Sequence, residues 1–268
     1  MKIKLLGTAA AEGIPAFYSG SRVSEHARKT GGREMRTRCA ALVDGHIKID
    51  LPPDTLTQLH REGLDARDWS LLLFTHSHDD HFAVSELQYG LFPFNEMERM
   101  DFPIYGNAEI CRRIAASYPD WPMEVVETKS FRPFNHLEYT ITPVSANHSS
   151  DEDAQNHLIE REGQCVLYAT DTGIWHEPTW EYLESKRIDL LVVECTEGFR
   201  GSPFSGHLDV IECLHVVGRL RKQGTLHDGS QIVTTHHSHN GDATYSELEE
   251  AFGKEGIVAG YDGLEISF

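Results

Sequence analysis

Strand-like apolar runs recur along the whole chain, and every polar cluster of chemical interest sits at the C-terminal end of one of them. The runs read "IKLLGT", "CAALV", "HIKIDL", "LLLFTH", "FPIYG", "LEYTITPVSA", "CVLYATDTG", "DLLVVECT", "QIVTTHHS" and "IVAGYDGLEISF". Helix-like stretches lie between some of them, at Asp54 to Glu62, Val84 to Leu91, Ala108 to Ser117, Pro178 to Lys186, Leu208 to Lys222 and Tyr245 to Gly253. Others follow one another directly, as "CAALV" and "HIKIDL" do around a turn at Asp44 and Gly45. Hairpins mixed with helical crossovers exclude a simple parallel doubly wound sheet and predict two mixed sheets covered by helices. No Pro/Gly-rich linker, repeat or low-complexity tract interrupts the pattern, so residues 1–268 are read as one domain.

Composition narrows the partners. A formal charge of −18 argues against a general nucleic-acid binder, which needs a basic surface. No apolar run approaches the roughly 18 residues of a membrane span. The opening "MKIKLLGTAAAEGIPA" has too short an apolar core, broken by Glu12 and Gly13, for a signal peptide. Cys39, Cys111, Cys165, Cys195 and Cys213 are odd in number and form no CxxC pair, which suits reduced thiols and predicts a cytoplasmic protein.

The segment "THSHDDHF" follows the apolar run "WSLLLF" and crowds metal-liking side chains where packing gives no reason for them. In an extended segment alternate side chains share a face, so His76 and His78 can grip one ion. Asp80 and His81, at the start of a predicted helix, can turn toward a second. Other strand ends supply His148, Asp171 and His236, and the two oxygens of Asp171 allow it to bridge. The expected sets are His76, His78, His148 and Asp171 for one ion, and Asp80, His81, His236 and Asp171 for the other. Asp79 and His237 are expected to face away, and His215 reads as a helix-surface or packing histidine. Nitrogen and oxygen ligands without thiolate admit zinc, manganese or iron.

These residues carry a resemblance. "THSHDDH" is similar to the HxHxDH signature of the metallo-β-lactamase superfamily, and His148, Asp171 and His236 match its later ligand motifs in chain order. "LLGTAAAEGIPA", "FPFNEMERMDFPIYG", "ATDTG", "GHLD" and "THHSH" resemble PhnP-type phosphodiesterases, relatives of the tRNA-processing nuclease RNase Z. The resemblance implies an α+β four-layer αββα sandwich, two divalent metal ions, hydrolysis and a homodimer. It places a catalytic histidine at His207, for phosphate contact or general acid, and Asp80 would steer the nucleophile while coordinating. Asp50, matching the superfamily's first motif, would hold a ligand histidine, and Thr172 would hydrogen-bond near Asp171. PhnP-type proteins also carry a cysteine cluster that, with a histidine where this chain has His239, forms a structural zinc site. Here "GIPAFYSGSRVSEHARKTGG" holds no cysteine, so no structural zinc is expected.

Between Ser19 and Arg38 the chain carries six basic residues against two acidic ones. As a loop this island would gather a small anionic substrate, with Arg36 and Arg38 as contacts and Phe17 and Tyr18 available for stacking. The expected activity is hydrolysis of small, even cyclic, phosphodiesters, with no large nucleic acid and no membrane as partner. Thioester, lactone or other ester hydrolysis on the same metals is the alternative enzyme class. A non-catalytic carrier is the third reading, since fold does not fix function.

Overall fold

The computed structural model describes all residues from Met1 to Phe268. The first half of the chain lays down β1 (Lys2–Gly7), β2 (Ala40–Val43), β3 (Ile47–Ile49), β4 (Leu71–Leu73), β5 (Ile104–Gly106) and β6 (Val125–Glu127). The second half builds β7 (Phe134–His136), β8 (Tyr139–Ser145), β9 (Gln155–Arg161), β10 (Gln164–Ala169), β11 (Ile188–Glu194), β12 (Leu226–Thr235) and β13 (Val258–Ala259). A last strand, β14 (Glu265–Ser267), returns to the edge of the first sheet beside β1. The result is two seven-stranded sheets, ordered β14-β1-β2-β3-β4-β5-β6 and β13-β12-β11-β10-β9-β8-β7. Each is mixed: hairpin neighbours such as β2 and β3 or β8 and β9 pair antiparallel, while β3 to β6 and β10 to β13 pair parallel.

The sheets face each other across an apolar layer. Ile3, Leu5, Ile47, Ile49 and Leu71 from one meet Ile141, Val166, Leu190 and Val233 from the other. Helices cover both outer faces. α2 (Thr55–Glu62) and α3 (Ala108–Ser117) pack Leu59, Ile110 and Ile114 on the first sheet. α4 (Glu177–Glu184), α5 (Val210–Lys222) and α6 (Tyr245–Gly253) pack Trp180, Val216, Leu220 and Phe252 on the second. The architecture is therefore a four-layer αββα sandwich. Local sequence sets the helix ends: Asp209 with Glu212, and Thr244 with Glu247, form capping boxes, and Gly63 closes α2 in the left-handed conformation. No helix is long and apolar enough to cross a membrane.

The structure departs from the expected elements in instructive places. β9 opens with Gln155, Asn156 and His157, all buried, which breaks the apolar pattern that marks a core strand. Each has a dedicated partner: Gln155 accepts from Thr128, Asn156 donates to Thr170 O, and His157 Nε2 lies 3.0 Å from Phe74 O. Residues 84–90 form a 3-10 helix rather than an α-helix. The basic island is not a loop, because α1 (Arg22–Thr30) runs through it as an α-helix that buries only Val23, Ser24 and Ala27.

Candidate metal centre

All the expected ligands converge where strands of both sheets end. β4 delivers Thr75 and His76, β8 leads to His148, β10 to Asp171, and β12 to His236. Three residues at these ends, Asp50, Asp171 and His236, hold positive φ angles of 58°, 48° and 56°. The left-handed conformation costs a non-glycine residue about 1 kcal/mol and turns the chain sharply out of the strand. Hydrogen bonds hold these turns: Asp50 N donates to Leu73 O at 2.9 Å, and Thr196 Oγ1 donates to His236 O at 2.8 Å.

The donor atoms face one another. His76, His78 and His148 form one compact group, Asp80, His81 and His236 a second, and His76, His81 and Asp171 link the two. Asp171 lies between the groups: Oδ1 is 3.6 Å from His148 Nε2, while Oδ2 is 2.9 Å from His81 Nε2 and 3.1 Å from His236 Nε2. Asp80 Oδ2 lies 3.3 Å from His81 Nε2 and 3.7 Å from His236 Nε2. Nitrogens also confront nitrogens, His81 Nε2 with His236 Nε2 at 3.3 Å and His148 Nε2 with His78 Nδ1 at 3.1 Å. Two imidazole lone pairs repel unless a proton or a cation stands between them. His76 Nε2 is buried with no hydrogen-bond partner, which a polar atom tolerates poorly.

Charge points the same way. Burial, with His81 nearby, pushes His76 well below the usual histidine range, so its lone pair is free to coordinate. Burial opposes ionisation of Asp171, yet His236 and His81 hold its carboxyl well below the usual carboxylate range. Burial likewise opposes a charged His81, but Asp171, Asp80 and Asp50 lift it well above. A pocket that forces positive charge onto a buried imidazole is built for cations. The residues fit one or two divalent ions: His76, His78 and His148 would hold one, Asp80, His81 and His236 the other, with Asp171 serving both.

The supporting contacts fix each ring's tautomer. Asp50 Oδ2 lies 2.7 Å from His81 Nδ1, and Asp50 also accepts from Thr75 N and Oγ1. Gly206 O lies 3.1 Å from His148 Nδ1, and Thr196 Oγ1 2.8 Å from His236 Nδ1. Thr172, next to Asp171, donates from its hydroxyl to Gly173 O and accepts from Asn147 N, bracing the turn that carries His148. Glu194 escapes sequence reasoning altogether, since it ends the apolar run "DLLVV" with no motif around it. Its buried carboxylate lies 2.8 Å from His207 Nδ1 and 2.5 Å from Thr196 Oγ1, and accepts from the backbone of Thr172 and Leu208. Burial opposes charge on His207, but Glu194 outweighs it and raises the imidazole to about 9. His207 stacks 5.6 Å from His236 and lines the same cleft of about 500 Å³ as Asp80, His148 and Asp171.

Several residues sit elsewhere. Asp79 is exposed and pairs with Arg113, His237 is buried against Cys195 O, and His215 lies exposed on α5. His239 lies 3.0 Å from Ser21 Oγ and 3.7 Å from Glu12. The expected substrate contacts Arg36 and Arg38 are corrected. Arg36 is buried and donates to Thr8 Oγ1 and Gly260 O. Arg38 pairs with Asp54 at 3.1 Å and donates to Ala11 O. Three more arginines of the island are engaged, Arg22 with Asp242 and Glu247, Arg28 with Glu25 and Arg33 with Tyr245, while Lys29 is exposed on the helix. A sequence count registers these charges but not the carboxylates that the fold brings against them.

Known proteins place this geometry. No curated protein matches the chain by sequence. Among solved structures, a diphosphatase from the PhnP family is similar over 100% of this chain and 97% of its own, with 20% identity and a TM-score of 0.78. Zinc-bound PqqB from Methylobacterium extorquens aligns over 100% of both chains with 17% identity and a TM-score of 0.77. The short form of human tRNase Z covers 100% of this chain and 99% of its own, with 17% identity and a TM-score of 0.64. The Beta-lactamase superfamily domain matches residues 46–237, a span that contains every candidate ligand from His76 to His236. With the αββα sandwich and the histidine and aspartate cluster at its strand ends, the chain belongs to the β-lactamase superfamily.

Proposed function

We propose that this protein is a metal-dependent phosphodiesterase that cleaves small phosphodiesters with water. The observation that carries the reading is the carboxylate of Asp171 set between two groups of imidazoles, beside His207. Two divalent ions held by these residues would lower the pKa of a bound water and neutralise charge on the phosphoryl oxygens. Asp80 and Asp171 line the cleft and present carboxylate oxygens that orient the attacking water. His207, held protonated at neutral pH by Glu194, hydrogen-bonds a phosphate oxygen or protonates the leaving alkoxide. A cleft of about 500 Å³ on a chain of net charge −18 suits a small substrate better than a folded RNA.

The test is metal content by mass spectrometry and turnover of bis(p-nitrophenyl) phosphate, a diphosphate ester, a thioester and a lactone. The similar PhnP-family diphosphatase makes the diphosphate ester a necessary comparison. About two ions per chain with preferred phosphodiester turnover is the expected result. Bound metal with carboxylic-ester or thioester turnover alone would replace the reading, and a metal-free, inactive protein would leave a carrier.

A further inference from the structure

The cleft over the metal centre has an unexpected charge pattern. No lysine or arginine lines it. Beyond the metal-facing side chains its wall carries Glu12 and Glu197, the amides and hydroxyls of Asn240, Ser202 and Ser238, and Phe204. Phe204 lines the cleft half exposed, its ring 5.5 Å from that of His207. The arginines that sequence alone would send to an anionic substrate are engaged elsewhere, and neither they nor Lys29 lines the cleft.

A phosphodiester carries one negative charge, which the metal end of the cleft and His207 would meet. Glu12 and Glu197 on the wall would repel further anionic groups. Carboxylates and an aromatic ring lining one cleft suit an organic cation, which gains Coulomb attraction from the first and the ring quadrupole from the second. Resting on the phosphodiesterase reading, we infer that the substrate is a phosphodiester whose alcohol carries a cationic amine, bound by Glu12, Glu197 and Phe204. Burial, together with the charges of Glu194 and Glu12, holds the Glu197 carboxyl above its ordinary value, although His207 works the other way. A carboxylate so placed gains from a cation at its side. A dianionic or polyanionic substrate has no partner for its surplus charge there.

The experiment compares two esters of one shape, with the metal-loaded protein. p-Nitrophenyl phosphorylcholine carries a quaternary ammonium, and 3,3-dimethylbutyl p-nitrophenyl phosphate replaces that nitrogen by carbon. The cationic ester should show about tenfold higher kcat/KM, mostly through KM, and the advantage should shrink as salt rises. Glu12→Gln with Glu197→Gln should bring the ratio toward one, and Phe204→Ala should lower it, with metal content measured alongside. Equal turnover of the two esters by the unaltered protein, or preference for the neutral one, would overturn the inference and leave the phosphodiesterase reading intact. No turnover of either ester or of bis(p-nitrophenyl) phosphate would remove both.

Discussion

His207 Nδ1 lies 2.8 Å from Oε1 of Glu194, a carboxylate with no solvent exposure whose other oxygen is 2.5 Å from Thr196 Oγ1. Because Thr196 also contacts His236, and Thr172 follows Asp171, this one carboxylate ties the loops bearing His207, His236 and Asp171 together. The same contact sets the charge on His207.

Glu194→Gln should therefore slow phosphodiester turnover roughly 10- to 100-fold, no more than the lower end of a lost general acid, because the imidazole itself remains. Without the carboxylate the His207 pKa falls from about 9, so the alkaline limb of the pH–rate profile moves to lower pH. Metal content should stay near that of the parent. A profile unchanged in shape would remove His207 from proton transfer.

Asp171→Ala takes both carboxylate oxygens from between the imidazole groups. Turnover should fall by more than about 100-fold and bound metal should drop, because no neighbouring side chain replaces the bridge. Mass-spectrometric metal counts on protein purified without added metal check this. Full occupancy in the variant would mean that Asp171 is not a ligand.

Lys48 is fully buried in β3, donating to the carbonyls of Ile49 and Asp50, and burial lowers its ammonium to about 7. Between that pH and the ordinary lysine value of 10.5 the unfolded chain holds a proton the native state has lost. Stability should thus rise with pH across this window, with a slope approaching about 1.4 kcal/mol per unit, and Lys48→Met should abolish that component. Urea unfolding at pH 7.5, 8.5 and 9.5 measures it. Parallel trends in the two proteins would contradict a buried, neutralised amine.

His157 is buried against Phe74 O, and burial lowers it to about 4. From the ordinary 6.5 down to 4 the unfolded chain takes up a proton the native state refuses, so stability falls as pH drops, by about 3 kcal/mol over the window. His157→Gln can still donate to Phe74 O without titrating, and should flatten the acid loss. Chelated protein keeps metal release out of the comparison.

How much of this was legible in advance depended on whether a residue's role is local. The "THSHDDH" segment announces its ligands because coordination demands several donors within a few residues. The helices at 108–117 and 245–253 declare themselves by periodicity and appear with those bounds. Roles created by long-range meetings are invisible to such reading. Glu194 reaches His207 across 13 residues, and Arg36 meets Gly260 across 224. β9 was hidden because its buried face is polar and becomes tolerable only once Thr128, Thr170 and Phe74 supply partners.

The ligand candidates divide between the sheets: His76 to His81 leave β4 of the first, and His148, Asp171 and His236 follow β8, β10 and β12 of the second. An ion held from both sides is a rivet through the seam of the sandwich. Synthesis runs from the N-terminus, so His236 is the last of the ligand candidates to leave the ribosome. A chain made only as far as the first sheet has just part of the candidate ligand set, so metal loading would wait until both sheets have formed and docked.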